Sequence, residues 1–155
     1  KYDAPTDKMI INIEYQDRNK LICLYSDGVE CLEDKTSKNI VEFKENAPSF
    51  MTIDLRNKIA FVDEVSTGGY TADSTVKIID SITNKENKYI TSNIAKEIKT
   101  SGNKIAINFG TEVHIINKNG ILLKNYISDA EINDIVMTDA VVGIVYKDKI
   151  QIINF

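Results

Sequence analysis

The strongest constraint on this chain is that one short apolar pattern recurs four times. Lys20-Leu21-Ile22-Cys23-Leu24-Tyr25, Lys58-Ile59-Ala60-Phe61-Val62-Asp63, Lys104-Ile105-Ala106-Ile107-Asn108-Phe109 and Val141-Val142-Gly143-Ile144-Val145-Tyr146 superimpose residue for residue. Each is followed by a turn and a second stretch that reads apolar, polar, apolar, apolar: Val29-Glu30-Cys31-Leu32, Val76-Lys77-Ile78-Ile79, Val113-His114-Ile115-Ile116 and Ile150-Gln151-Ile152-Ile153. The equivalent residues Cys23, Phe61, Ile107 and Ile144 are separated by 38, 46 and 37 positions. A repeat of roughly 40 to 45 residues is the length of a four-stranded propeller blade.

The local chemistry favours strands. The runs are short and rich in Ile and Val, which suit a pleated, half-buried surface. Asp27-Gly28, Gly68-Gly69, Ser101-Gly102 and Asn119-Gly120 supply turns between them. No stretch of helical length keeps a 3.6-residue apolar period. Around each central hairpin lie a preceding strand, at 9–15, 50–55, 94–99 and 132–137, and a following one, at 39–43, 88–91 and 121–127. The chain therefore reads as an all-β protein of β-propeller blades. Three are complete and antiparallel, the fourth lacks its outer strand, and the repeats run about 8–46, 47–92, 93–129 and 130–155.

A closed ring commonly seals itself by pairing strands from the two chain ends. The missing outer strand is thus expected upstream of Lys1. The expectation is either a C-terminal part of a propeller of about seven or eight blades, or a half-ring completed by a second copy.

The recurring Asn-Lys-Ile-Ala, at 57–60 and 103–106, together with Val76-Lys77-Ile78-Ile79-Asp80 and Val113-His114-Ile115-Ile116-Asn117, resembles the quinoprotein-like and YVTN-like group of bacterial propellers. In particular it resembles a poorly characterised family of bacterial propellers with an N-terminal membrane anchor. The resemblance implies blade packing and an extracytoplasmic setting; it implies no chemistry. The Gly-His and Trp-Asp signature of WD40 repeats is absent, as is Trp altogether. The aromatic docking pattern of quinone-dependent dehydrogenases is absent too, so no cofactor is expected.

Composition narrows the partners. A net charge of −4 with interspersed signs gives no cationic field for nucleic acid. No apolar run approaches the roughly 18 residues of a membrane span, and Lys1-Tyr2-Asp3-Ala4-Pro5 has no signal-peptide character. Abundant Ile, Lys and Asn suggest an AT-rich bacterial genome, and 15 Asn form no Asn-x-Ser/Thr acceptor.

The repeat also serves as an internal control on suspicious residues. Cys23 and Cys31 fall in columns held elsewhere by Phe61, Ile107, Ile144 and by Ile78, Ile115, Ile152, so they read as two reduced core thiols. A three-residue turn with a left-handed Gly28 would instead bring them face to face for a disulfide. His114, the only histidine, shares its column with Glu30, Lys77 and Gln151, which reads as a solvated or rim position. Asp129 and Glu131 read as a solvated loop, since no calcium-loop pattern is matched. No metal site or catalytic residue is expected.

One departure stands out. The turn of the second hairpin expands to residues 66–74, which lengthens that repeat to 46. Insertions in repeat folds map to one face, often the binding face. In a propeller this loop would lie beside Glu45-Asn46-Ala47-Pro48 and Ser128-Asp129. Thr67, Gly68, Gly69, Tyr70, Thr71 and Asp73 form the candidate partner-binding loop. The expected function is non-enzymatic binding or scaffolding of a protein or glycan. The alternatives are part of a propeller hydrolase or lyase whose site depends on further N-terminal blades, and a structural oligomerisation module.

Overall fold

A computed structural model of the chain describes residues 7–43, 50–52, 58–65 and 73–155. The first sheet comprises β1 (Ile10–Asp17), β2 (Lys20–Tyr25), β3 (Gly28–Glu33) and β4 (Thr36–Glu42), and the second β5 (Phe50–Thr52), β6 (Lys58–Val65), β7 (Asp73–Asp80) and β8 (Glu86–Thr91). The third contains β9 (Glu97–Ser101), β10 (Lys104–Asn108), β11 (Glu112–Asn117) and β12 (Leu122–Ile127), and the fourth β13 (Asp134–Met137), β14 (Val141–Val145) and β15 (Ile150–Asn154). Within every sheet, strands adjacent in sequence are adjacent in space and antiparallel. These are propeller blades, three of four strands and one of three.

The sequence columns reappear as ladder positions. Cys23, Phe61, Ile107 and Ile144 pair with Glu30, Lys77, His114 and Gln151 across the four central hairpins. Because alternate residues of a strand face opposite sides, each blade has a front face toward the preceding blade and a rear face toward the following one. Ile22, Leu24, Val29 and Cys31 on the rear of the first blade pack with Ile59, Phe61 and Ile79 on the front of the second. Ala60, Val62, Val76 and Ile78 on the rear of the second meet Ile98, Ile105, Ile107 and Ile116 of the third. Ala106, Val113 and Ile115 then meet Ile135, Val142, Ile144 and Ile153 of the fourth. The core is therefore three interblade layers, and each Ile fully removed from water contributes about 1.5–3 kcal/mol of transfer free energy.

Strand limits differ from the sequence expectation in one instructive place. The inner strand expected over 94–99 starts at Glu97. The Ala95 N–H instead donates to the buried Ser74 hydroxyl of the second blade at 2.9 Å, holding that stretch against its neighbour before the ladder begins.

The first hairpin closes through a two-residue turn, Ser26-Asp27, with Tyr25 opposite Gly28. Gly28 is not left-handed. It is required for close approach, because a Cβ there would collide with the Val41 carbonyl oxygen of β4. With this turn, Cys23 lies opposite Glu30 and Cys31 opposite Ile22, which puts the two thiols on opposite faces of the sheet. Both are buried, and neither is in a disulfide.

Candidate functional site

Of the candidate loop, Thr67, Gly68, Gly69, Tyr70 and Thr71 lie outside the described residues, as does the stretch Glu45 to Pro48 expected beside them. Asp73 is the first residue of β7 and pairs with Val65. The expansion assigned to 66–74 is thus partly ladder: the second hairpin continues through Asp63–Thr75, Glu64–Ser74 and Val65–Asp73. Aligned on Cys23 and Phe61, Asp63 corresponds to Tyr25, the last strand residue of the first hairpin. Two further residue pairs therefore make the second ladder about 7 Å longer than the first. The base of this arm is fixed by the bond from Ala95 to Ser74.

Neighbouring connections on the same side of the blades are well tied. The Ile132 N–H donates to the Gly110 carbonyl at 2.6 Å, and Asn133 to that of Val145 at 2.9 Å. Lys96 pairs with Glu131 at 3.0 Å. The buried Ser128 hydroxyl lies 3.0 Å from the Tyr146 hydroxyl, while Asp129 stays exposed. Asp129 and Glu131 are solvated, as their sequence context suggested.

His114 is not solvated. It is buried between the second and third blades, with Nδ1 2.7 Å from the Tyr89 hydroxyl and Nε2 2.8 Å from Glu112 Oε1. Phe109 stacks edge-on at 4.7 Å between ring centres. A neutral imidazole satisfies both contacts by accepting the Tyr89 proton at Nδ1 and donating from Nε2. Glu112 also accepts from Asn93 at 2.8 Å and from Asn125 at 2.5 Å. The His114 hydrogen bond and these amide donors hold its carboxyl below the usual value, whereas burial raises that of the Tyr89 phenol.

The next junction repeats the device. Tyr126 on β12 occupies the ladder position of Tyr89 on β8, opposite Val113 and Val76 respectively. Its hydroxyl donates to the Gln151 side chain at 2.9 Å, and Gln151 occupies the column of His114. In the third and fourth blades the polar column therefore pairs with a tyrosine hydroxyl of the preceding blade. The sequence held a signal for this: Tyr on the outer strand, one blade before a long polar residue on the third strand. In the first blade the column residue, Glu30, accepts instead from Lys8 at 2.9 Å and Ser37 at 2.8 Å. Glu30 foremost, and Asp27 with it, raise the Lys8 pKa.

The innermost strands carry a second cluster that the sequence did not single out. Burial, reinforced by a hydrogen bond to Asp134 on β13, raises the Glu97 carboxyl pKa on β9. Lys99 lies 3.0 Å from Glu97 Oε1, and Oε2 accepts the Ile135 N–H at 3.1 Å. A carboxyl raised in this way, beside a second carboxyl and a lysine, is the kind of group that general acid–base chemistry uses. Among the described residues no group of three or more His, Cys, Asp or Glu is placed to hold a metal ion. No helix among them is long and apolar enough to cross a membrane.

Neither a protein-family model nor a curated protein matches the chain. Solved propeller structures do. Hsv2 from Kluyveromyces lactis is similar over 96% of this chain and 46% of its own, with 16% identity and a TM-score of 0.62. BamB from Moraxella catarrhalis is similar over 93% and 42%, at 15% identity and TM-score 0.62. The tricorn protease is similar over 99% of this chain and 17% of its own, at 12% identity and TM-score 0.69. The chain thus spans less than half the length of each. Blade geometry, register and these likenesses together establish a run of β-propeller blades.

Proposed function

We propose that this chain is a non-enzymatic binding or scaffolding propeller that contacts a protein or glycan through its loop face. The second hairpin carries this reading. Its ladder runs two pairs beyond that of the first, and its base is locked by the Ser74 hydroxyl. A stalk that is already ordered lowers the entropy cost of presenting its tip to a partner. Tyr70 would supply an aromatic anchor, with Thr67, Thr71 and Asp73 as polar contacts and Gly68 and Gly69 allowing close backbone approach. On the resemblance of its repeats, the protein acts outside a bacterial membrane, held by an anchor upstream of these blades.

The binding reading is tested by replacing residues 66–72 with a two-residue Asn-Gly turn. Glycan arrays and photocrosslinking from the site of Tyr70 then compare the two proteins. Wild-type contacts should vanish or weaken about tenfold or more. If every partner captured by the wild type is retained by the shortened hairpin, the loop-face reading fails.

The enzyme alternative has one observation in its favour, the raised Glu97 carboxyl beside Asp134 and Lys99. His114 gives it no support, because both ring nitrogens are already engaged within the fold.

A further inference from the structure

The innermost strands of the third and fourth blades carry a carboxyl on the same rung. Glu97 pairs with Asn108 on β10 and Asp134 with Val145 on β14, one step before the equivalent pairs Ile98–Ile107 and Ile135–Ile144. On the corresponding rungs of the first two blades stand Asn12, opposite Leu24, and Phe50, opposite Val62. Of the three interblade junctions, only the last therefore sets acid against acid. Both carboxyls converge on one donor: the Ile135 N–H lies 3.1 Å from Glu97 Oε2 and 2.8 Å from Asp134 Oδ1. A single N–H thus serves an oxygen from each side of the junction.

The surrounding charge compensates in part. Lys99 lies 3.0 Å from Glu97 Oε1 but keeps 47% of its side chain in solvent, and Glu14 on β1 adds a negative charge near it. Lys96 is engaged with Glu131 at 3.0 Å. Asn108 and Val145, opposite the two acids, are uncharged, and so are the described residues of β5. Full ionisation leaves Glu97, Asp134 and Glu14 facing Lys99 alone. Burial foremost, and Asp134 with it, raise the Glu97 carboxyl in spite of that lysine, so the closed junction favours the neutral acid. We propose that this pair is a pH-sensitive joint: protonated Glu97 holds the start of β13 against β9, and its ionisation loosens the fourth blade from the third at that end. This is the end at which the connection 128–133 enters β13. Elsewhere in the same junction Val142, Ile144 and Ile153 stay sealed in the apolar layer, which confines the loosening. The joint is tight below the ordinary carboxyl value of 4.5 and relaxes as pH rises through the higher folded one. It needs no partner on the loop face.

Amide hydrogen exchange of the 155-residue chain, followed by NMR from about pH 4 to 8 and corrected for intrinsic rates, reads the joint at the Ile135 N–H, whose acceptors are these two carboxyls. Its protection should fall about fivefold or more as Glu97 ionises, while the ladder amides of β10 and β11 keep theirs. Glu97→Gln, whose amide offers Asp134 a donor at every pH, should hold the acid level of protection throughout. Asp134→Asn removes the opposing charge and should cut the fall to less than about half. It decides the matter if Glu97→Gln does not fold. Protection that stays flat or rises with pH in the wild type overturns the proposal, as does a full fall in either variant. A fall shared by β10 and β11 also overturns it, because the whole chain is then opening rather than one joint.

Discussion

The third and fourth blades carry nearly the same hairpin and live in different surroundings. Val113 and Ile115 on β11 are sealed, whereas Ile150 and Ile152, their equivalents on β15, are open to solvent. Side-chain type is conserved across the pair, so it does not determine burial here. What differs is whether another sheet lies behind. A blade is thus a unit with two sticky faces, and a residue's energetic role depends on its place in the series. The repeat pattern reports the blade; it is silent on the neighbour.

The largest test of this contrast is a pair of truncations. Ile115→Ala leaves a cavity inside a sealed layer and should cost about 2–4 kcal/mol in urea unfolding. Ile152→Ala removes atoms already in water and should cost within about 0.5 kcal/mol. Equal costs would mean that the fourth blade's rear face is covered within one chain.

A smaller effect compares the two tyrosine clasps. Tyr89→Phe removes the hydroxyl hydrogen-bonded to Nδ1 of a buried imidazole and should cost about 1–2 kcal/mol. Tyr126→Phe, whose partner Gln151 is exposed and can turn to water, should cost about half as much. Similar losses would show that burial of His114 adds nothing to its clasp.

The smallest effect separates two glutamates by the sign of their pH dependence. The Glu112 carboxyl is held below its ordinary value of 4.5, chiefly by His114. Its contribution to stability is present above that ordinary value and fades as pH falls through the folded one. Glu112→Gln should therefore destabilise at neutral pH and approach wild type in acid. The Glu97 carboxyl is raised above 4.5, chiefly by burial. Its contribution is present below that value and is lost as pH rises through the folded one. Glu97→Gln should match or exceed wild type at neutral pH, with the difference closing in acid. Melting curves from about pH 3 to 8 read both signs, and parallel curves for the two variants would break the assignment.

The fold was legible because blade columns obey the two-residue period of strands, and the three interblade layers bury the residues that period selects. Cys23 and Cys31 read correctly as core thiols for that reason. His114 did not, because a polar column normally signals solvent, and the partner that makes burial affordable, Tyr89, sits 25 residues earlier on another blade. The Glu97–Asp134 pair escaped likewise: the two are 37 positions apart, and only the stacking of β9 on β13 brings them together. The second hairpin was recognised from length alone, which could not distinguish an added loop from an extended ladder. Pairings within one blade are local and leave a pattern in sequence, whereas contacts between blades join residues whose spacing carries no period.

The turn at Ser26-Asp27 has one more consequence. By setting Cys23 and Cys31 back to back across a sheet, it makes an internal disulfide unreachable without slipping β3 by one residue, which would exchange its two faces and take Val29 and Cys31 out of the layer they share with the second blade. The covalent structure of the first blade is therefore indifferent to redox potential. The same blade can mature in a reducing cytoplasm or in an oxidising exterior, needing neither an oxidase to complete it nor a reductase to rescue it.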